Sequence, residues 1–92
     1  MKYRLEYEDG AKEGMRKLKK SGDKQAMKKL DVLIEEIVIH PRKGTGHPEQ
    51  LRHKTVETWS REITKKHRLV YKIRDEIVTV TVVQTYGHYG DK

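Results

Sequence analysis

Cysteine and phenylalanine are both absent from this 92-residue sequence, and proline occurs only twice. Without cysteine, the chain has no disulfide bonds, no thiol nucleophile and no zinc site that depends on thiolates. No apolar run approaches the roughly 20 residues that cross a bilayer, and we expect neither a secretory signal nor contact with a membrane. Hydrophobic residues make up only 34% of the chain. We therefore expect residues 1–92 to form one small cytoplasmic domain with a thin core.

Positive charge is in excess, because 21 lysines and arginines stand against 14 acidic residues, for a formal net charge of +7. This balance favours a polyanionic partner. The excess falls mainly in residues 1–30 and 61–92. In the first of these segments a helix would carry a broad basic surface, able to bind phosphates without reading a nucleotide sequence. The same run is equally typical of an ordinary solvated helix face.

The hydrophobic pattern predicts one strand, two helices and then an antiparallel meander of three strands. Asp9 can cap the first helix, although Gly14 weakens that prediction. Asp23 can cap the second helix, which Pro41 ends. A loop over residues 40–54, rich in glycine, histidine and basic residues, precedes the meander. The predicted elements cover residues 2–7, 9–21, 23–40, 58–64, 67–73 and 77–83.

The last predicted strand has two different faces. Val78, Val80 and Val82 alternate with Thr79 and Thr81. Because successive side chains of a strand point to opposite sides, the valine face suits a core covered by helices. We expect the polar face to be free to hold a site.

The available side chains narrow the possible chemistry. With no cysteine, no phosphate-binding glycine loop and no Gly-x-Ser-x-Gly motif, the candidates are reactions of histidine, carboxylate and basic residues. Cleavage of an RNA phosphodiester without metal is one of these. It needs a base for the 2′-hydroxyl, cations for the transition state and an acid for the departing 5′-oxygen. Glu49, Arg52, Arg68 and His88 could supply these groups if the fold brings them together.

Three of these residues also have ordinary structural interpretations. Glu49 could be a surface acid that offsets local positive charge, and His88 could belong to a loose chain end. Arg68 alternates with Val70 in its strand, so it could form a cross-strand ion pair rather than bind a phosphate. The residues alone leave these alternatives open.

Nearby aromatic and histidine residues form a second group of candidates. Tyr86 and Tyr89 flank His88, and exposed tyrosines can stack on the bases of single-stranded RNA. They could equally anchor the C-terminal segment by packing. Trp59 is expected in the core. His53 could contact a phosphate or simply lie at the surface, and the spacing of the histidines matches no zinc pattern, so we expect no metal site.

Three separated segments of the chain resemble the YoeB family of toxins, within the RelE superfamily of toxin–antitoxin systems. They are residues 44–53, 59–73 and 87–89, with the sequences GTGHPEQLRH, WSREITKKHRLVYKI and GHY. The order of predicted elements extends the resemblance over essentially the whole chain. It implies an α+β fold like that of the microbial ribonucleases, with two N-terminal helices packed on a twisted antiparallel sheet.

The same resemblance implies an activity and partners. The chain would be an mRNA endoribonuclease that needs neither metal nor cofactor and cuts messages in the ribosomal A site. Its antitoxin would be of the YefM or Phd-like type, and only the toxin–antitoxin complex would bind operator DNA. For the free toxin, both a monomer and a homodimer are left open.

Roles for individual residues also follow from the resemblance. Glu49 matches the family's general base, Arg68 its transition-state arginine and His88 its general acid. Glu62 stands where some members have arginine, so we expect weaker binding of RNA. The residues expected to bind substrate are Arg52, His53, Arg61, Tyr86 and Tyr89.

Two non-enzymatic functions are compatible with the composition. One is an RNA-binding or ribosome-binding module that blocks translation by occupancy. The other is a partner-binding domain whose basic surface holds an acidic antitoxin segment. The second would coexist with the enzyme, whereas the first is an alternative to it and would leave messenger RNA intact.

Overall fold

The computed structural model describes residues 2–87, in which two helices pack on one face of a five-stranded sheet. The elements are β1 (Arg4–Tyr7), α1 (Asp9–Lys20), α2 (Lys24–Ile37), β2 (Glu49–Leu51), β3 (Thr58–Glu62), β4 (Arg68–Arg74) and β5 (Thr79–Gln84). The strands lie in the order β1-β5-β4-β3-β2, with β1 parallel to β5 and the other neighbours antiparallel. The expected fold of two N-terminal helices on a mostly antiparallel sheet is confirmed.

Helix α2 forms where its apolar residues recur at helical spacing. Leu30 and Ile37 are fully buried, as the pattern predicts. The carboxylate of Asp23 caps the helix by accepting a hydrogen bond from the Ala26 N–H over 3.0 Å. Such a cap stabilises a helix by about 1 kcal/mol. The cap at Asp23 is therefore as predicted, whereas the helix ends at Ile37, three residues before the predicted limit at residue 40.

Helix α1 begins differently from the prediction. The sequence favours Asp9 as its cap, but the cap position is taken by Glu8, whose carbonyl accepts hydrogen bonds from the Ala11 and Lys12 N–H groups. The side chain of Glu8 makes no capping hydrogen bond. Asp9 lies in the first turn instead, where its negative charge still interacts favourably with the helix dipole.

Gly14 allows α1 to approach the end of β5. A Cβ atom at this position would lie 2.5 Å from Thr85 Oγ1. That hydroxyl donates a hydrogen bond of 2.8 Å to the carbonyl of Ala11, one turn earlier in the helix. The close contact explains why a glycine stands inside a helix, where it costs about 1 kcal/mol relative to alanine.

The core lies between the helices and alternate residues of the central strands. Leu69, Tyr71 and Ile73 of β4 and Val80 and Val82 of β5 all belong to one buried cluster. Their neighbours along each strand point to the opposite face of the sheet. The polar residues of β2, β3 and β4 on the face away from the helices are Glu49, Thr58, Ser60, Glu62, Arg68, Lys72 and Arg74.

The start of the last strand differs from the prediction. Residues Asp75–Ile77 form a single 3₁₀ turn, and Val78 has a φ of 48°. Strand β5 therefore begins at Thr79, and Ile77 is 53% exposed. The strand then pairs in parallel with β1, with Val80 opposite Leu5.

The polar face of β5 is not an open surface. Thr79 and Thr81 are both buried, and Arg74 Nη1 lies 3.5 Å from Thr81 Oγ1 as its donor. The expectation that this face is free to hold a site is therefore wrong for β5 itself. On the same face, the edge strand β2 carries the exposed Glu49.

Neither helix of the described chain is long and apolar enough to cross a membrane.

Candidate active site

Glu49 and Arg68 lie on the same face of the sheet, on either side of Ser60. Glu49 is the register partner of Ser60 across β2 and β3, so their side chains share a face. Arg68 Nη1 donates a hydrogen bond to Ser60 Oγ over 3.3 Å. Ser60 is buried and Glu49 is exposed. A carboxylate and a guanidinium, two of the groups that metal-free phosphodiester cleavage requires, are thus held around one hydroxyl.

Glu49 owes its position to a short strand that the sequence pattern does not predict. The pattern places this segment in a loop, but Glu49–Leu51 pairs antiparallel with β3. A carboxylate on a paired strand is held more firmly than one on a free loop. The pairing of β2 with β3 therefore fixes the place of Glu49 in the sheet relative to Ser60 and Arg68.

Arg68 keeps most of its hydrogen-bonding capacity. Its register partner across β3 is Glu62, yet within residues 2–87 Arg68 forms no ion pair. The cross-strand ion pair considered from the sequence is therefore not formed. A guanidinium has five N–H donors. Because only one of them donates to Ser60 within the described residues, the others can bind an anion.

The chain returns to Arg68 at Gly87. The Gly87 carbonyl accepts hydrogen bonds of 2.9 Å from the Arg68 backbone N–H and from Gln84 Nε2. Its own N–H donates to His67 Nδ1, also over 2.9 Å. Gly87 has a φ of 81°, a conformation that favours glycine. The predicted acid His88 and the predicted contact Tyr89 lie outside the described residues.

Tyr86 packs against His67. Their ring centroids are 4.4 Å apart with an interplanar angle of 29°, and Lys17 Nζ lies 5.8 Å from the centre of the tyrosine ring. Tyr86 nevertheless remains 37% exposed. This contact matches the interpretation of Tyr86 as a packing anchor, and stacking on an RNA base stays a prediction.

Arg52 and His53 follow β2 directly. Both are exposed, and with Gln50, Lys54 and Glu57 they line an open depression at the end of β2. His53 has a φ of 62°, which only a minority of non-glycine residues adopt. The basic side chains of Arg52 and Lys54 share this lining with the carboxylate of Glu57.

Arg61 does not lie where a substrate contact must lie. We expected it to bind RNA, but it is fully buried, and its five N–H donors all have partners within the chain. They are Tyr71 Oη, Glu36 Oε1 and the carbonyls of His40, Lys43 and Thr45. The expectation is therefore corrected: Arg61 fastens the loop that leads into β2 and has no donor left for RNA.

The carboxylate of Glu36 is the charged partner of Arg61. Burial opposes its ionisation, but hydrogen bonds from Thr45 and Arg61 outweigh that effect and hold the pKa of Glu36 below its ordinary value. The pair ties helix α2 to β3 and to the loop between them. The same two side chains hold Thr45, in the loop that precedes Glu49.

A second ionic cluster connects Arg42, in the loop before β2, to Glu57 and Asp75. Arg42 forms two hydrogen bonds with Glu57, at 2.7 and 3.0 Å, and one with Asp75 at 2.7 Å. The Arg42 guanidinium is the main cause that lowers the pKa of Glu57, whereas Tyr3 and then Arg42 lower that of Asp75. Trp59 packs against the core, as expected, and donates its indole N–H to Glu57 over 2.7 Å.

Two residues of the site are not singled out by the sequence. Ser60 is one of several hydroxyl residues in the meander, and only the register of β3 reveals that it stands between Glu49 and Arg68. His67 precedes Arg68 but faces the C-terminal segment. No group of three potential metal-ligating residues occurs in residues 2–87.

The fold is that of the RelE and YoeB toxins. A dimer of YoeB from Staphylococcus aureus superposes with a TM-score of 0.79 at 27% identity, covering 97% of this chain and 100% of that one. The YoeB–YefM complex from the same organism gives 0.76 at 26% identity, with the same coverage. Toxin YoeB of Escherichia coli K12 is 41% identical over 58 residues, which are 63% of this chain and 69% of the relative.

A family model, described as the YoeB-like toxin of bacterial type II toxin-antitoxin system, matches residues 11–89. The chain therefore belongs to the YoeB-like toxin family, as the resemblance in its three sequence segments indicated.

Proposed function

We propose that this toxin is a ribosome-dependent mRNA endoribonuclease that inhibits translation. The observation that carries the proposal is the arrangement around Ser60, which has Glu49 as its register partner and Arg68 as its hydrogen-bond donor. Metal-free cleavage of RNA needs a carboxylate and a cation that act on one phosphodiester from fixed positions. Family membership supports the same activity.

In the proposed reaction, Glu49 removes the proton from the ribose 2′-hydroxyl. The 2′-oxygen then forms a bond to phosphorus while the bond to the 5′-oxygen breaks, and His88 gives its proton to that leaving oxygen. The products are a 2′,3′-cyclic phosphate, which can open to a 3′-phosphate, and a 5′-hydroxyl. Arg68 stabilises the negative charge that accumulates on the phosphoryl oxygens. No metal or cofactor takes part.

We assign substrate binding to the residues around this centre. Arg52 and His53 are exposed and follow β2, the strand that carries Glu49, and would contact neighbouring phosphates. Tyr86 and Tyr89 would stack on bases that are unpaired in the A site. Arg61 is left out of this set because it is buried and all its donors are occupied.

The proposed regulation involves an antitoxin of the YefM type. In Staphylococcus aureus the related toxin YoeB forms a complex with YefM, and a YoeB dimer is known from the same organism. An acidic antitoxin segment would neutralise the cationic surface of this chain, and operator DNA would be bound by the complex. The free toxin would act in the cytoplasm and could form a homodimer.

The test is cleavage of an mRNA positioned on ribosomes, with naked mRNA in parallel and 5′-end mapping of the products. We expect wild type to cut only the ribosome-bound message. Glu49→Gln and His88→Gln should each reduce the rate about 10²–10⁴-fold. Glu6→Gln, an exposed glutamate on the same face of the opposite edge strand β1, and His40→Gln are the matched controls and should cut normally.

Three other outcomes would overturn parts of the proposal. Cutting of both RNAs would identify a general ribonuclease. Inhibited translation without new RNA ends, in wild type and variants alike, would identify a binding module that acts by occupancy. Full cleavage by both Glu49→Gln and His88→Gln would refute the acid–base mechanism.

A further inference from the structure

The backbone one residue before the proposed general acid is held in place by a side chain with no assigned role. Gly87 N–H donates a hydrogen bond of 2.9 Å to His67 Nδ1. The ring of His67 also stacks on Tyr86, the residue before Gly87. One imidazole therefore contacts two consecutive residues of the segment that leads to His88.

Further hydrogen bonds hold the residues on either side of Tyr86. Thr85 is fully buried and donates to the Ala11 carbonyl of helix α1 over 2.8 Å. The Gly87 carbonyl accepts from Gln84 Nε2 and from the Arg68 N–H. These bonds set the path of the chain up to Gly87. The bond to His67 is the one that a side chain makes to the Gly87 N–H, so it sets the orientation of that peptide group.

The acceptor role of His67 also defines its chemical form. Nδ1 can accept the Gly87 proton only when it carries no proton of its own, which places the ring proton on Nε2. A ring that merely filled space would be replaceable by phenylalanine. A ring that orients the Gly87 peptide through Nδ1 would not be.

We propose that His67 is a positioning residue for the general acid: through Nδ1 it sets the orientation of the Gly87 peptide, to which His88 is covalently joined. This inference rests on the proposed function, since it assumes cleavage with His88 as the acid. It adds to that function a residue that touches neither substrate nor reacting atoms. Displacement of a catalytic group by about 1 Å can reduce a rate as much as 10²-fold.

Two substitutions separate the hydrogen bond to Gly87 from the stacking on Tyr86. His67→Phe keeps an aromatic ring for Tyr86 but removes the acceptor for Gly87. His67→Asn keeps an acceptor at the position of Nδ1, because the amide oxygen occupies a similar place, but removes the stacked ring. His40→Asn, at an exposed histidine outside the site, is the control.

The deciding measurement compares two leaving groups on ribosome-bound mRNA. One message has the ordinary phosphodiester at the mapped cleavage position, and the other has sulfur in place of the bridging 5′-oxygen. With sulfur, the 2′-oxygen still bonds to phosphorus, but the P–S bond breaks and the thiolate leaves with the electron pair. Because a thiol is a much stronger acid than an alcohol, this thiolate needs no proton from an acid. Loss of the acid, or of its position, therefore matters only for the oxygen substrate.

We expect His67→Phe to lower kcat on the oxygen substrate by at least about tenfold, with KM within twofold of wild type. On the sulfur substrate it should match wild type, as should His88→Gln. His67→Asn should recover most of the activity on the oxygen substrate. Thermal unfolding of each variant accompanies the assay.

Equal loss on both substrates would overturn the proposal, because it would indicate general disruption of the fold or of Arg68. Normal activity of His67→Phe on the oxygen substrate would overturn it as well, while leaving the proposed function intact. If wild type cut neither message, the proposed function would fail, and this inference would fail with it.

Discussion

Ser60 stands directly opposite Glu49 across strands β2 and β3, and its hydroxyl accepts a hydrogen bond from Arg68. This relationship joins the proposed base to the proposed transition-state cation through the sheet itself. The pairing of β2 with β3 places Glu49 opposite Ser60, and the hydrogen bond places the Arg68 side chain next to the Ser60 hydroxyl. The hydroxyl of Ser60 should therefore influence cleavage although it takes no proton in the reaction.

Ser60→Ala should slow cleavage roughly tenfold, because a hydrogen bond to a charged group contributes about 1.5–3 kcal/mol and this one is long, at 3.3 Å. Loss of the bond frees the Arg68 side chain without changing its charge. Single-turnover cleavage on ribosomes measures the effect. Thr79→Val removes another buried hydroxyl from the same face, in β5, and should leave the rate unchanged. Equal rates for Ser60→Ala and wild type would show that Arg68 does not need this contact.

Gly87→Ala should reduce cleavage more than it reduces stability. Gly87 has a φ of 81°, and within residues 2–87, apart from its chain neighbours, no heavy atom lies within 4 Å of the place that a Cβ would occupy. The penalty is therefore one of backbone conformation, about 1–2 kcal/mol. Gly22 is a matched control, because it has a φ of 78° and equally open surroundings but lies between the helices. Both variants should lose similar stability in urea, and only Gly87→Ala should lose activity. Equal activity of the two variants would separate Gly87 from the reaction.

Arg61→Met should destabilise the protein by about 3 kcal/mol or more, because it leaves Glu36 and several carbonyls without their partner. The expected value is at the lower end of the range for buried ion pairs, since the Glu36 side chain is 27% exposed. Urea unfolding measures the change, and Arg4→Met, at an exposed position of β1, should change stability by less than about 0.5 kcal/mol. An Arg61→Met protein that kept its stability and lost only ribosome binding would restore Arg61 to the substrate-binding set.

The Arg42 cluster, which consists of Arg42, Glu57 and Asp75, should make the free energy of unfolding depend on pH. The pKa of Glu57, lowered mainly by Arg42, and that of Asp75, lowered by Tyr3 and then Arg42, are both below their ordinary values in the folded chain. Their contribution is therefore complete at neutral pH and is lost as the pH falls below about 5 toward the folded pKa values.

Arg42→Gln should flatten this decline as the pH falls from about 5 to about 3. The free energy of unfolding, measured in urea at each pH, records the difference between the variant and wild type. Arg16→Gln removes the same charge from an exposed pair with Glu13 and should leave the decline unchanged. Parallel pH profiles for Arg42→Gln and wild type would contradict the assignment of this dependence to Arg42.

Local sequence pattern predicts the helices of this fold better than its strand pairing. Helix α2 has apolar residues at helical spacing, Asp23 as its cap and Pro41 beyond its end, and all three signals are local. The parallel pairing of β1 with β5 joins Arg4 to Thr79, at opposite ends of the sequence. Periodicity tells which face of a strand is apolar, but it does not tell which strand lies beside it.

The site is predictable from the sequence in part, and for different reasons at each residue. The family resemblance assigns Glu49 and Arg68, and the structure brings them to one face. Arg61 is basic, which suggests RNA, but charge in a sequence does not reveal burial, and its surroundings use every donor. Ser60 contacts Arg68 across neighbouring strands, and His67 contacts Gly87, 20 residues further along the chain; local hydrophobic periodicity encodes neither contact.

The most direct test of the proposed chemistry uses an mRNA in which one 2′-hydroxyl is replaced by hydrogen. The change is placed on the nucleotide immediately 5′ of the mapped cleavage position, and the message is bound to ribosomes with wild-type protein. If Glu49 activates that hydroxyl, the modified position should resist cleavage, while the unmodified message yields a 2′,3′-cyclic phosphate and a 5′-hydroxyl. Cleavage of the modified position, with 5′-phosphate ends, would contradict the mechanism.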